Sequence, residues 1–480
     1  MRKPKFLKGR IGANLRYLKY VLIFGLVVAC ISWAYVKQAQ TQASDAASSD
    51  FNTQIIQLDL PAVKNGLGGI IAVDVNQDQR RDFILTQEGW IGIYAHDGKK
   101  LWQKAADIQL TEKSESEGLP GLFAPGVQAA DIDQDGKIEL LFLDQEGTLH
   151  WLDAVSGQEE GKIRLPVPAE ADKWEHLVIG NFRGQGDRDL LLQATRSRRY
   201  RTGRHLAAYA IDDLLTESQP QPLWTRDDFK PNAHNGARLA DLDGDNRDEV
   251  LGETLLSPTG ETLYEIPAEG HIDSIFAADV RPDIPGIEVV ALEENGGNRV
   301  FLANPQGLIW ETHYNNQEPQ NAAIGDFDPN RPGLEIWCRS RNNRNQEPFI
   351  FDAQGQLIQR YEMKQVAPRG WTRSGVEVIF PIDWTGQPQQ RLAAKERHKQ
   401  GDVAIFDGIS GEFLQTIPGK AARLYVADVS GDWREEIIIR QGKQLRIYSN
   451  PQPNARPQQA SLWKQQYYRR GKMTWNYYSP

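Results

Sequence analysis

The chain has 480 residues, 40% of them hydrophobic, with 42 glycines and 26 prolines spread through it as turns, enough for a large core. Its two cysteines, Cys30 and Cys338, exclude a disulfide framework. The net charge is −9, yet the first 44 residues hold eight basic and no acidic side chains, so the remainder carries 47 basic against 64 acidic residues, which argues against nucleic acid as a partner.

Residues 1–19 are a basic segment, read as cytoplasmic. Residues 20–36 are uncharged and apolar, about the length that spans a bilayer core, which predicts a transmembrane signal anchor. The positive-inside bias then places the body on the periplasmic or extracellular side. A cleaved signal is the other reading, since Val27-Val28-Ala29-Cys30 looks like a lipoprotein cleavage box. Residues 37–52 are polar and small, a linker.

From 53 to 480 one pattern recurs. Asp131, Asp133, Asp135 and Glu139 stand at positions 1, 3, 5 and 9 of a loop with Gly136 at its turn, and the apolar run Leu140 to Leu143 follows. Oxygen donors so spaced converge as ligands for a hard cation, and the β-type run excludes an EF-hand, which needs flanking helices. An Asp/Gly-rich turn that binds nothing is the other reading of any single copy. Asp74, Asn76, Asp78 and Asp82 repeat the spacing, as do Asp241, Asp243, Asp245 and Glu249. Two copies close on Pro-Gly-x-Glu: Asp279, Asp283 and Glu288, then Asp326, Asp328, Asn330 and Glu335. Asp428, Asp432 and Glu436 form another. Two are eroded: Asn181 to Asp189 has Arg183 and Gln185 inside it, and the copy starting at Asp383 has no closing acid.

A strand, a glycine turn and a second strand follow each loop, as in Trp90 to Tyr94 and Leu445 to Tyr448. Units of about 40 to 60 residues built from short strands predict an all-β propeller with eight blades, or seven if one eroded unit is an insertion. Most of the bound Ca²⁺ would be structural.

From about Ala233 onward the order of motifs resembles the propeller of rhamnogalacturonan lyase family 11, with loops of the FG-GAP/VCBS type. The residues are His234-Asn235-Gly236, Gly270-His271-Ile272-Asp273, the paired Pro-Gly-x-Glu loops, Gly431-Asp432-Trp433-Arg434-Glu435-Glu436, and the aromatic tail Tyr467-Tyr468-Arg469 with Trp475 to Pro480. The resemblance implies β-elimination on a uronic-acid polysaccharide, with an active-site calcium held by His234, His271, Asp273 and Glu294. It also implies Lys420 as the base and Tyr477 as the proton donor. Asn321 stands where the family has an arginine, and Ile417-Pro418-Gly419 where it has Asn-Gly-Thr.

Three further features need an account. Lys395 to Lys399, with His398 as an alternative base, could line a groove for an anionic glycan or form a solvated edge strand. Arg196, Arg198, Arg199, Arg201 and Arg204 are a polyanion patch or a solvated hairpin tip. The aromatic tail is read as the strand that closes the ring. The leading reading is a membrane-anchored, monomeric, calcium-dependent propeller acting on acidic polysaccharide. A non-catalytic propeller that binds glycan or a protein partner is the alternative, and Leu101-Trp102, Leu223-Trp224 and Ile309-Trp310 hint at a quinoprotein-like scaffold.

Overall fold

The computed structural model describes residues 51–61, 68–110, 125–195, 203–231, 236–340, 346–369, 371, 376–396 and 401–473, with only the backbone at Thr195, Glu377, Glu396 and Lys420. The apolar stretch 20–36 lies outside these residues. No helix among those described is long and apolar enough to cross a membrane.

The strands fall into eight four-stranded sheets, so the ring has eight blades. In chain order blades I to VII occupy 70–105, 127–163, 173–226, 238–265, 271–313, 319–360 and 376–421. Blade VIII takes its three inner strands from 423–449 and its outer strand, Asn52–Gln57, from the other end of the propeller chain. The aromatic tail does not close the ring, as the sequence suggested. An edge strand must pair, and Asn52–Gln57 supplies that pairing, with the Leu58 N–H donating to the Lys443 carbonyl at 2.8 Å.

Apolar side chains are buried in the seams between blades. Because successive strand residues point to opposite faces, Ile336 and Cys338 pack toward blade V while Trp337 packs toward blade VII. Both faces are covered, which is why the second strands read as continuous runs such as Ile437-Ile438-Ile439 rather than alternating ones. The tryptophans of the Leu-Trp and Ile-Trp pairs clip neighbouring blades. Trp102 donates its Nε1–H to the Ala154 carbonyl at 2.8 Å, Trp224 to Pro258 at 2.8 Å, and Trp310 to Ala353 at 3.0 Å. Gly157 lies under the Trp102 ring with φ +71°, and a Cβ there would come within 2.6 Å of the indole.

First strands of successive blades pack side by side around a central channel. The short turn Leu462–Lys464 and the helix Gln466–Met473 enter that channel. Every acidic loop joins the first strand of its blade to the second, so all of them lie at one end of the channel.

Candidate active site and metal loops

The acidic loops share one hydrogen-bond scheme. Their first carboxylate caps the loop's own N–H groups: Asp74 accepts from Asp78 at 3.0 Å, Asp131 from Gly136 at 3.2 Å, Asp241 from Gly244 at 2.7 Å and Asp428 from Gly431 at 2.8 Å. Inner positions close short turns, with Asn76, Asp133, Asp243 and Asp328 each accepting the N–H two residues on. Asp78, Asp135, Asp245 and Asp432 do the same one step later. The closing acid spends one oxygen on the second residue's N–H: Asp82 on Val75, Glu139 on Ile132, Glu249 on Leu242, Glu335 on Phe327 and Glu436 on Val429. Glu288 takes the N–H of Arg281 at 2.9 Å, while Asp283 is exposed and paired with the Arg281 guanidinium.

The remaining oxygens fit a cation. One oxygen each of Asp131, Glu288, Asp326, Glu335 and Asp428 is buried and has no hydrogen-bond partner, an arrangement that leaves desolvation uncompensated unless a positive charge sits there. Ligand atoms of Asp131, Asp133 and Glu139, and of Asp241, Asp243 and Glu249, lie within 4.8 Å of one another. Burial pushes the closing acids up, to about 7 at Glu139 and Glu335 and about 8 at Glu249 and Glu436. The eroded loop of blade III solves the same problem internally: Arg183 Nε lies 2.5 Å from Asp189 Oδ1, so a guanidinium stands in the cage. Arg391 replaces the closing acid of blade VII and pairs with Asp407.

The histidine cluster is elsewhere. His271 starts the first strand of blade V, His271–Ala278, and Glu294 ends the second, Glu288–Glu294, so the two are register partners at the end of the blade away from its loop. Asp273 and Asp279 are six residue steps apart, about 20 Å of extended chain. His271 Nε2 lies 2.8 Å from Glu294 Oε2 and 3.7 Å from Asp273 Oδ1, and all three ligand atoms fall within 4.8 Å. Asp273 occupies a register shift between Ile272 and Ser274 and is fully buried. One histidine nitrogen and two carboxylates are an oxygen-rich set that suits a hard divalent ion.

Glu293, next to Glu294, was not singled out from sequence. It accepts the N–H groups of Glu269 at 2.6 Å and Gly270 at 2.9 Å, and Arg299 Nε at 2.9 Å, and so fixes the turn that presents His271. Burial raises its pKa, but those donors outweigh burial and hold it at about 2. Asp248 and Glu435 were missed as well. Each precedes a closing acid, and the doubled acid was the available signal.

Lys420 lies near the end of Phe413–Ala421, the outer strand of blade VII. Strand alternation puts that end on the His271 side of the ring. His234, His398 and Tyr477 lie outside the described residues. Lys395 is on the second strand of its blade with 1% of its surface exposed, so its strand is interior and not a solvated edge. Of the arginine patch only Arg204 is described, and it is exposed. A cavity of about 410 Å³ lies in the loop half of the channel, between the tail and blades IV to VIII, lined by Phe276, Ile324, Phe380, Asp326, Asp383 and Glu435. The His271 cluster does not border it.

Residues 197–479, more than half of the chain, match the model of the C-terminal domain of rhamnogalacturonan lyase family 11. The chain belongs to that family. Residues 74–142 match an FG-GAP-like repeat. Among curated proteins the chain is similar to rhamnogalacturonan endolyase YesW of Bacillus subtilis (strain 168), 25% identical over 456 residues that cover 79% of this chain and 67% of that one. Rhamnogalacturonan exolyase YesX of the same strain is 23% identical over 422 residues, 76% and 65% of the two chains. The family 11 chain described here therefore spans about two thirds of the length of these relatives. The crystal structure of YesW has the same fold, with a TM-score of 0.63 at 20% identity over 89% of this chain and 80% of that one. The Vibrio cholerae biofilm matrix protein Bap1 shares the fold at a TM-score of 0.53 and 13% identity, over 84% and 92% of the two chains.

Proposed function

We propose that the protein is a calcium-dependent lyase that cleaves uronate-containing polysaccharide by β-elimination at the His271 end of the channel. The observation that carries this is the His271, Asp273 and Glu294 cluster, set apart from the repeated loops in a chain of a lyase family. Both curated relatives are named as rhamnogalacturonan lyases, which supports rhamnogalacturonan as the substrate class.

Calcium bound there would neutralise the uronate carboxylate, so that the proton beside it becomes acidic. His271, Asp273 and Glu294 would hold the ion, and Glu293 fixes the turn that presents His271. Lys420, on the same side of the ring, takes the proton, and Tyr477 returns one to the leaving oxygen. The loops I, II, IV, V, VI and VIII carry structural calcium, and the protein acts as a monomer. Residues 20–36 anchor it with the propeller exported, a reading supported by the basic segment before them and the acidic body after them.

The test is absorbance of unsaturated uronates released from a panel of pectic and algal polymers, with calcium and with chelator. A calcium-dependent rise on rhamnogalacturonan is expected. No rise on any polymer supports the non-catalytic alternative.

A further inference from the structure

In three places the N–H of a loop's first residue is accepted by a side chain of the next blade's loop, always from the position before the closing one. Asp248 accepts from Asn181 at 2.8 Å, Gln390 from Asp326 at 3.0 Å and Glu435 from Asp383 at 3.1 Å. Five loops cannot be served this way, those of blades I, II, IV, V and VIII, because the residue at that position is Ile138, Arg188, Ile287, Leu334 and Arg81 respectively, and none carries a side-chain acceptor. Blades IV and VIII find an acceptor elsewhere.

The C-terminal helix supplies both. Gln466 Oε1 accepts the Asp241 N–H at 3.2 Å, and the Tyr468 hydroxyl accepts the Asp428 N–H at 3.1 Å. The same side chains donate onward, Gln466 to Asp248 and Tyr468 to Glu435 at 2.9 Å. Arg470 is buried between Asp187 at 2.7 Å and Asp248 at 3.0 Å, which ties the loops of blades III and IV together. Lys472 holds Glu435 at 2.9 Å. Deeper in the channel the Lys472 carbonyl accepts from the Tyr425 hydroxyl and the Met473 carbonyl from Gln128, so the helix runs inward from the loop mouth.

We propose that this helix is a calcium-dependent latch: seating of Gln466–Met473 and calcium binding in the loops of blades IV and VIII stabilise one another. Asp241 and Asp428 each face two ways, with a carboxylate that would serve the ion and an N–H held by the helix. A loop that rearranges on losing its ion misaligns the N–H that the helix reads, and by linkage an unseated helix weakens the ion's hold. The latch rests on reading these loops as calcium sites.

The experiment combines calcium stoichiometry by native mass spectrometry with amide hydrogen exchange of the full chain. Chelator should speed exchange in 466–473 by on the order of tenfold. Asp243→Ala, in the blade IV loop, should do the same in excess calcium, whereas Asp133→Ala, in a loop whose first residue the helix does not cap, should not. Tyr468→Phe keeps the ring and removes the hydroxyl, which loses both the acceptor for the Asp428 N–H and the donor to Glu435, and should weaken one calcium site several-fold. If calcium binds but helix exchange ignores it, or if Asp133→Ala frees the helix equally, the latch is wrong and the calcium loops stand. If no calcium binds, both fall.

Discussion

A single bulged residue, Asp273, sits apart from the repeated acidic loops. It is buried beside His271 and Glu294 at the end of blade V remote from the acidic loop. His271→Ala and Asp273→Ala should therefore abolish elimination while changing the melting temperature little, as activity assays and calorimetry on the same samples will show. Lys420→Ala should leave KM nearly intact and lower kcat on the order of 10²- to 10⁴-fold, since a general base acts mainly in the transition state. A wild-type kcat in that variant would remove Lys420 from the mechanism. His176 gives a pH signature. Burial lowers its pKa to about 4, the Arg238 charge adds to this, and the bond to the Ala237 carbonyl at 3.0 Å opposes it. The unfolded chain titrates near the usual value of about 6.5, so the folded state binds fewer protons between the two values and stability falls as pH drops from about 6.5 to about 4. His176→Gln, which keeps a donor for that carbonyl, should lose less melting temperature than wild type between pH 7 and pH 5.

At the scale of the loop, nine residues carry a ligand set and a strand start together. The closing acid begins the second strand and also caps the loop's second N–H, so one side chain sets both the loop's acidic cluster and the strand register. Asp243→Ala should remove one ion and lower stability, read as one fewer calcium by native mass spectrometry and a lower melting temperature. A site held at a hundred times its Kd contributes about 2.7 kcal/mol. The loop of blade III should bind none in the wild type, because Arg183 already neutralises Asp189.

Across the whole ring the effects add. Chelation should lower the melting temperature by far more than any single loop variant, since each occupied site that binds only the folded state contributes; an unchanged melting curve in excess chelator would refute structural calcium. Topology is tested on spheroplasts: protease added outside should digest the propeller, and protection would place it in the cytoplasm.

The repeat spacing in the sequence determined the architecture, because an acidic turn feeding an apolar run is a local device that needs no knowledge of its neighbours. The juxtaposition of His271 with Asp273 was legible in the same way, since residues two apart in an extended strand face one side. Glu294 was placed only by resemblance, and the strand register that makes it the partner of His271 is a long-range fact. Ring closure and the tail were decided by tertiary structure alone. Tyr467 and Tyr468 read equally well as strand or helix in isolation, and what settles the helix is the channel around it, with Asp187, Asp248 and Glu435 waiting for Arg470 and Lys472. Those acids lie far from the tail in sequence, and nothing local announces that they point inward.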